Sequence, residues 1–202
     1  MRIAVIGSTG TIGRAVVSHL AARHDVIQVA HSRGDYRVDL ESVESMRSLF
    51  GRMGSVDAVV SCAGVAKFKP LEQLTDEDFA VSVHNKLMGQ INLVRFGLRA
   101  VRDNGSFTLT SGILARQPMV GSGAISPVNA GIEGFVRAAT LELPRGIRIN
   151  AVSPGWVRET LIALGMDPSG AMPADQVARA YVESVESRRN GEIIETSAFT
   201  RQ

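Results

Sequence analysis

The sequence predicts an α/β protein: a doubly wound parallel sheet of about seven strands with helices on both faces. Three observations predict it. Short apolar runs alternate with helix-period stretches along the chain. The runs are rich in β-branched residues, as buried parallel strands tend to be. The first run passes through three spaced glycines directly into a helical pattern, as a tight strand–turn–helix unit requires.

In order, strands are expected over 3–6, 26–30, 58–61, 106–110, 147–152 and 192–195, each bounded by Gly, Asp or Ser. Helices are expected over 12–23, 43–52, 76–102, 124–143 and 174–187. Asp76 is a suitable helix start, and Asn104-Gly105 is the expected stop of the long fourth helix. Residues 154–173, rich in Gly and Pro around Trp156, read as irregular and as a ligand-covering loop. No repeat or linker divides the chain, so residues 1–202 are expected to form one domain.

Composition narrows the partners. The 22 basic and 20 acidic residues leave a net charge of +2, with no basic stripe of the kind nucleic acid attracts. No apolar run is long enough to cross a bilayer, and no leader is expected before the first strand. The single Cys62 cannot form an intrachain disulfide. A cytoplasmic protein is expected. The four histidines show no metal-ligand spacing, so no metal is expected.

The strongest chemical motif is Gly7-Ser8-Thr9-Gly10-Thr11-Ile12-Gly13. Between a strand and a helix it reads as the dinucleotide fingerprint of a Rossmann fold. Gly7 makes the turn, Gly10 lets backbone amides approach a pyrophosphate, and Gly13 lets helix and strand pack closely. The helix N-terminus adds a favourable field of about 0.3–1 kcal/mol per anionic group. After the second strand, NAD-binding chains usually place an acid for the ribose 2′-hydroxyl. Here Ser32 and Arg33 occupy that place, and the first acid, Asp35, follows a glycine. Guanidinium and hydroxyl donors suit a 2′-phosphate, which makes NADP(H) the expected cofactor and NAD(H) the weaker one. A solvated loop charge at Arg33 is the alternative.

With these segments in view, the chain resembles the short-chain dehydrogenase/reductase family over nearly its whole length. Val38-Asp39-Leu40 resembles the acidic turn that contacts adenine. Ser61-Cys62-Ala63-Gly64 resembles the family's Asn-Asn-Ala-Gly. Thr108-Leu109-Thr110-Ser111-Gly112 resembles the strand ending in the catalytic Ser. Residues 148–157, ending Pro154-Gly155-Trp156-Val157, with Thr160 beyond, resemble the segment at the nicotinamide end. Gly191-Glu192-Ile193-Ile194 is similar to the family's last strand. The glycine spacing of the first motif is that of extended or atypical members, while the rest follows the compact ones. The resemblance implies hydride transfer between NADP(H) and a small carbonyl or alcohol.

It also implies a Tyr-x-x-x-Lys pair, and the pair is absent. Matching Thr140-Leu141-Glu142-Leu143 to the family's Ala-Leu-Glu-Leu puts Ile125 at the Tyr position and Asn129 at the Lys position. The only tyrosines are Tyr36 and Tyr181. In the family the Tyr exchanges a proton with the substrate oxygen, the Lys lowers its pKa and holds the ribose, and the Ser polarises the carbonyl. A positioned general acid contributes roughly 10²–10⁴-fold. The family also keeps an Asn three residues before a helical Gly, where this chain has Lys86 before Gly89, with Asn85 one residue earlier. If Lys86 is the match, Asn and Lys have exchanged places between two facing helices. The catalytic candidates are then Ser111, Lys86 and Asn129. An exposed helical Lys86, a locally capping Asn129 and a strand-ending Ser111 are the plain alternatives.

His84 precedes the same pair and could carry a proton, or could simply be solvated. Met119, Trp156 and Met166 line a small apolar pocket or pack in the core. The helices 76–102 and 124–143, with Gly89, Gly131 and Gly134, resemble those that pair family members into homodimers or homotetramers. Three functions remain open: an NADP-dependent reductase or dehydrogenase with an altered catalytic set, a catalytically inactive NADP-binding sensor or partner protein, and, less well matched, an epimerase-like enzyme.

Overall fold

The computed structural model describes residues 1–199. Seven parallel strands run β1 (Arg2–Ile6), β2 (Asp25–Ala30), β3 (Tyr36–Arg37), β4 (Val56–Ser61), β5 (Val101–Thr110), β6 (Arg148–Ser153) and β7 (Ile193–Glu195). Their order across the sheet is β3-β2-β1-β4-β5-β6-β7. The order reverses beside β1, and the crevice beyond the carboxyl ends of β1 and β4 is where such sheets bind ligands.

Both faces of the sheet are covered, which explains the apolar run of β1. In β1, Ala4 and Ile6 join the core under α2 (Val43–Met53), α4 (Gly89–Gly97) and α5 (Ile125–Ala139). Ile3 and Val5 face the opposite core, under α1 (Thr11–Ala21) and α7 (Ala174–Glu186). Val16 and Leu20, four apart on α1, are fully buried there. Each such side chain contributes about 1.5–3 kcal/mol.

The predicted elements stand where the sequence put them, with four corrections. First, the two-residue β3 was too short to show a period, yet it completes the seven strands. Second, the helix expected over 76–102 begins on a Thr75–Asp78 capping box as α3 (Asp76–Val81), widens into a π-helical segment over Ser82–Met88, and ends as α4 at Gly97. The Ser82 hydroxyl donates to the carbonyl of Asp78 and accepts from the Lys67 amide. Such back-bonding bends helices, and π turns concentrate at functional sites.

Third, Asn104-Gly105 stops no helix. It lies in a bulge inside β5, where Asn104 takes φ 61° and its amide bonds the Arg145 carbonyl. Asn tolerates that conformation, so the same dipeptide serves a bulge as well as a helix end. The helix expected to reach 143 likewise ends at Ala139. Fourth, the irregular region holds a short helix, α6 (Arg158–Ala163). Gly89 and Gly131 sit against Leu40 and Leu87 of their own chain.

Among the described residues no helix is long and apolar enough to cross a membrane, and no group of three His, Cys, Asp or Glu side chains could hold a metal.

Candidate functional site

The glycine turn closes β1 onto α1. Gly7 takes φ 81°, and a Cβ there would lie 2.8 Å from that of Ala63. At Gly13 a Cβ would stand 2.0 Å from the Gly7 carbonyl oxygen, so only glycine fits. The amides of Gly7 and Ser8 both bond the Val29 carbonyl, as does the Ser8 hydroxyl, so Ser8 braces β2 and its side chain is spent. No side chain caps α1, its first turn holds no acid, and the amides of Thr11, Ile12 and Gly13 have no partner among the described residues. That is the donor set a pyrophosphate needs.

Beside this turn opens a cavity of about 530 Å³. Gly7, Thr9 and Gly10 form one wall, Asp39 and Leu40 the second, and Cys62, Ala63 and Gly64 the third. Burial pushes the Cys62 thiol well up, so it packs and does not react. Asp39 holds its own turn, its carboxylate accepting from the Glu41 amide. Ser32 and Arg33 stand exposed beyond the rim. Asp35 is tied to the Gln28 amide at 2.8 Å, which removes it as a partner for a ribose.

The second group gathers at the end of β5. Gln90, fully buried on α4, accepts from the Thr110 amide at 2.7 Å and donates to the Thr110 carbonyl at 2.8 Å. This fork fixes α4 against β5. One turn earlier, on the π segment, Lys86 is buried and its Nζ donates to the Ser111 carbonyl at 3.2 Å. Burial lowers its pKa to about 8. The wide turn separates neighbours: Asn85 lines the cavity beside the glycine turn, accepting from the Val65 amide and donating to Glu41, while Lys86 points inward. His84 is exposed and lines no cavity described for the chain.

Asn129, on α5, is also buried, and a Cβ on Gly112 would lie 2.7 Å from its Nδ2. Its Oδ1 is buried with no hydrogen-bond partner among the described residues. Ser111 is only 1% exposed. Its hydroxyl donates to Glu133 Oε1 at 2.9 Å, with the Asn129 carbonyl farther off at 3.3 Å. Lys86, Ser111 and Asn129 therefore come together, and Glu133 joins them. Glu133 lies one helical turn beyond Asn129 with Arg116 at 3.8 Å and Arg137 at 3.9 Å. Sequence reading missed Glu133 and Gln90. A buried stripe at i, i+4 from Asn129 was the available signal for Glu133.

Neither tyrosine belongs to this group. Tyr181 is fully buried on α7, its hydroxyl 2.6 Å from Thr110 Oγ1, and burial holds its pKa well above the ordinary value. Tyr36 belongs to β3.

Pro154 and Gly155 reach the site through the Ile113 amide, which bonds the Pro154 carbonyl at 2.9 Å. Val157 is buried and bridges Met172, and Thr160 lies on α6. Beyond them a second cavity, about 520 Å³, is lined by Leu114, Met119, Trp156, Leu161 and Met166, so the expected apolar pocket exists. Trp156 stands edge-on to Phe68 at 5.6 Å.

Comparisons with known proteins agree with this arrangement. A family model described as Enoyl-(Acyl carrier protein) reductase matches residues 5–199. The chain is 30% identical over 156 residues to hydroxynaphthalene reductase arp2 of Aspergillus fumigatus, covering 71% of this chain and 57% of that protein. It is 26% identical to a 3-oxoacyl-[acyl-carrier-protein] reductase of Rattus norvegicus, covering 77% and 65%. The chain thus spans less than two thirds of these two relatives. Among solved structures, the protein lin1944 of Listeria innocua shares 41% identity with a TM-score of 0.93, over 96% of this chain and 98% of that one. A small-chain dehydrogenase in complex with NADPH shares the fold, with a TM-score of 0.85 at 24% identity, over 98% of each chain. The cradle at Gly7–Gly13, the sheet order and the matched span together place this chain in the short-chain dehydrogenase/reductase family.

Proposed function

We propose that the chain is an NADP(H)-dependent oxidoreductase acting on a small carbonyl or alcohol, with Lys86 in place of the family's Tyr-x-x-x-Lys pair. The observation that carries this is the buried Lys86 ammonium, held on the Ser111 carbonyl. An isolated buried cation is costly and is kept where it has work.

The residues present suit the cofactor. The free amides of Thr11, Ile12 and Gly13 would hold the pyrophosphate, Asp39 and Leu40 would flank the adenine, and Ser32 and Arg33 would meet a 2′-phosphate. A protein of the same fold holds NADPH. When bound, the nicotinamide supplies or accepts the hydride. The orphaned Asn129 Oδ1 offers an acceptor to the ribose end. Lys86 keeps two N–H donors after bonding Ser111, and with a pKa near 8 it both holds and releases a proton around neutral pH. We assign it the proton that the substrate oxygen needs on reduction. Glu133 fixes the Ser111 hydroxyl. The cavity beside Trp156 takes the apolar body of the substrate. Exposed Phe79 and Val83 on the 76–88 stretch support pairing of chains through this helix and α5.

One observation favours a second reading, an inactive NADP-binding sensor. Ser111 is closed from solvent, and its single hydroxyl proton is committed to Glu133. Titration with NADPH and NADH, followed by NADPH turnover on a carbonyl panel, separates the two. Binding with turnover supports the enzyme. Binding without turnover supports the sensor.

A further inference from the structure

A cavity of about 750 Å³ lies away from the cofactor crevice and shares no lining residue with it. It sits at the amino-terminal ends of β4 and β5, where the ends of α2 and α4 lead into these strands. Arg47, Arg95 and Arg99 line it, with Phe50 and Phe96.

The Arg47 guanidinium lies over the Phe96 ring at 4.8 Å from its centroid, and that of Arg95 over the same ring at 5.3 Å. Two cations on one ring are held in place before any ligand arrives. Among the described residues none of the three forms an ion pair, and Arg95 bonds only the amide oxygen of Asn92. Glu44, three residues before Arg47, makes no ion pair with it. No carboxylate lines the cavity.

A plain explanation would be that these arginines cap the carbonyl ends of the two helices. Other arginines do that. Arg2 donates to the Met53 and Ser55 carbonyls at 3.0 and 2.8 Å, and Arg145 donates to the Leu98 carbonyl. Arg95 lies in the last turn of α4 and Arg99 just beyond its end, so like charges gather at one helix terminus. The chain as a whole carries only +2, so the three uncompensated charges are a local feature.

We propose that this cavity binds a small polyphosphate-bearing molecule. Guanidinium groups match phosphate oxygens in pairs, and three of them suit a ligand with two or more phosphates. The concave shape favours a small molecule over a flat protein surface. The guanidiniums stack on the Phe96 ring, so recognition falls on the phosphates and not on a stacked base.

Isothermal titration of the full chain with tripolyphosphate at low salt tests this, with and without saturating NADPH. The parent should bind in both cases. The variant Arg47→Ala/Arg99→Ala should bind about tenfold or more weakly, with its thermal midpoint kept to show that it folds. No binding by the parent, unchanged binding by the variant, or displacement by NADPH would each overturn the proposal.

Discussion

Lys86 and Ser111 meet across 3.2 Å, a buried ammonium donating to a main-chain carbonyl at the end of the central strand. This contact is cheap in hydrogen bonds and expensive in desolvation. Replacing Lys86 by Met should therefore leave stability unchanged or raise it, because a buried charge is exchanged for an apolar side chain of similar length. Turnover should fall about 100-fold or more if Lys86 holds the transferred proton. Thermal midpoint and kcat measured on one preparation check both expectations. A large loss of stability would mark Lys86 as structural.

The same burial predicts a pH dependence. Lys86 is lowered from its ordinary 10.5 to about 8. Below pH 8 folded and unfolded chains both carry the proton, and the cost of burying the charge is present. Between pH 8 and 10.5 the unfolded chain binds the extra proton, so this contribution to stability rises with pH, by up to roughly 3 kcal/mol. Cys62 and Tyr181, both raised by burial, act in the opposite sense at high pH. Their effects cancel when denaturant unfolding of the parent is compared with that of Lys86→Met. The gap between the two should change in the parent's favour from pH 7.5 to pH 10.

Ser111 and Glu133 form a charge-assisted hydrogen bond at 2.9 Å inside the protein. A double-mutant cycle with Ser111→Ala and Glu133→Gln should give a coupling of about 1–3 kcal/mol. A coupling near zero would mean that the two groups do not act together.

At the cofactor crevice, Arg33→Asp should weaken NADPH binding by about tenfold or more and leave NADH unchanged or tighter. Equal effects on both would return Arg33 to the solvent.

How far the sequence reveals this molecule depends on the range of the forces involved. The glycine turn is local: a strand, a steric demand at Gly7 and Gly13 and a helix start lie within a few residues, and the structure keeps them together. Lys86 and Asn129 were legible as candidates from their residue types, and the structure brings both to the end of β5. The two-residue β3 has no period to read, and Asn104-Gly105 carries a turn signal that serves a bulge as well as a helix end. The π segment opens at Ser82, which accepts a long-range bond from the Lys67 amide that no local pattern shows. Glu133 looked like any helical acid until folding placed it against Ser111.

NADPH consumption by the parent and by Lys86→Met, on a broad panel of small ketones and aldehydes, tests the proposed chemistry most directly. Turnover by the parent that falls about 100-fold in the variant, with NADPH still bound by both, is the predicted result. Tight NADPH binding with no turnover by the parent, or equal turnover by parent and variant, would contradict it.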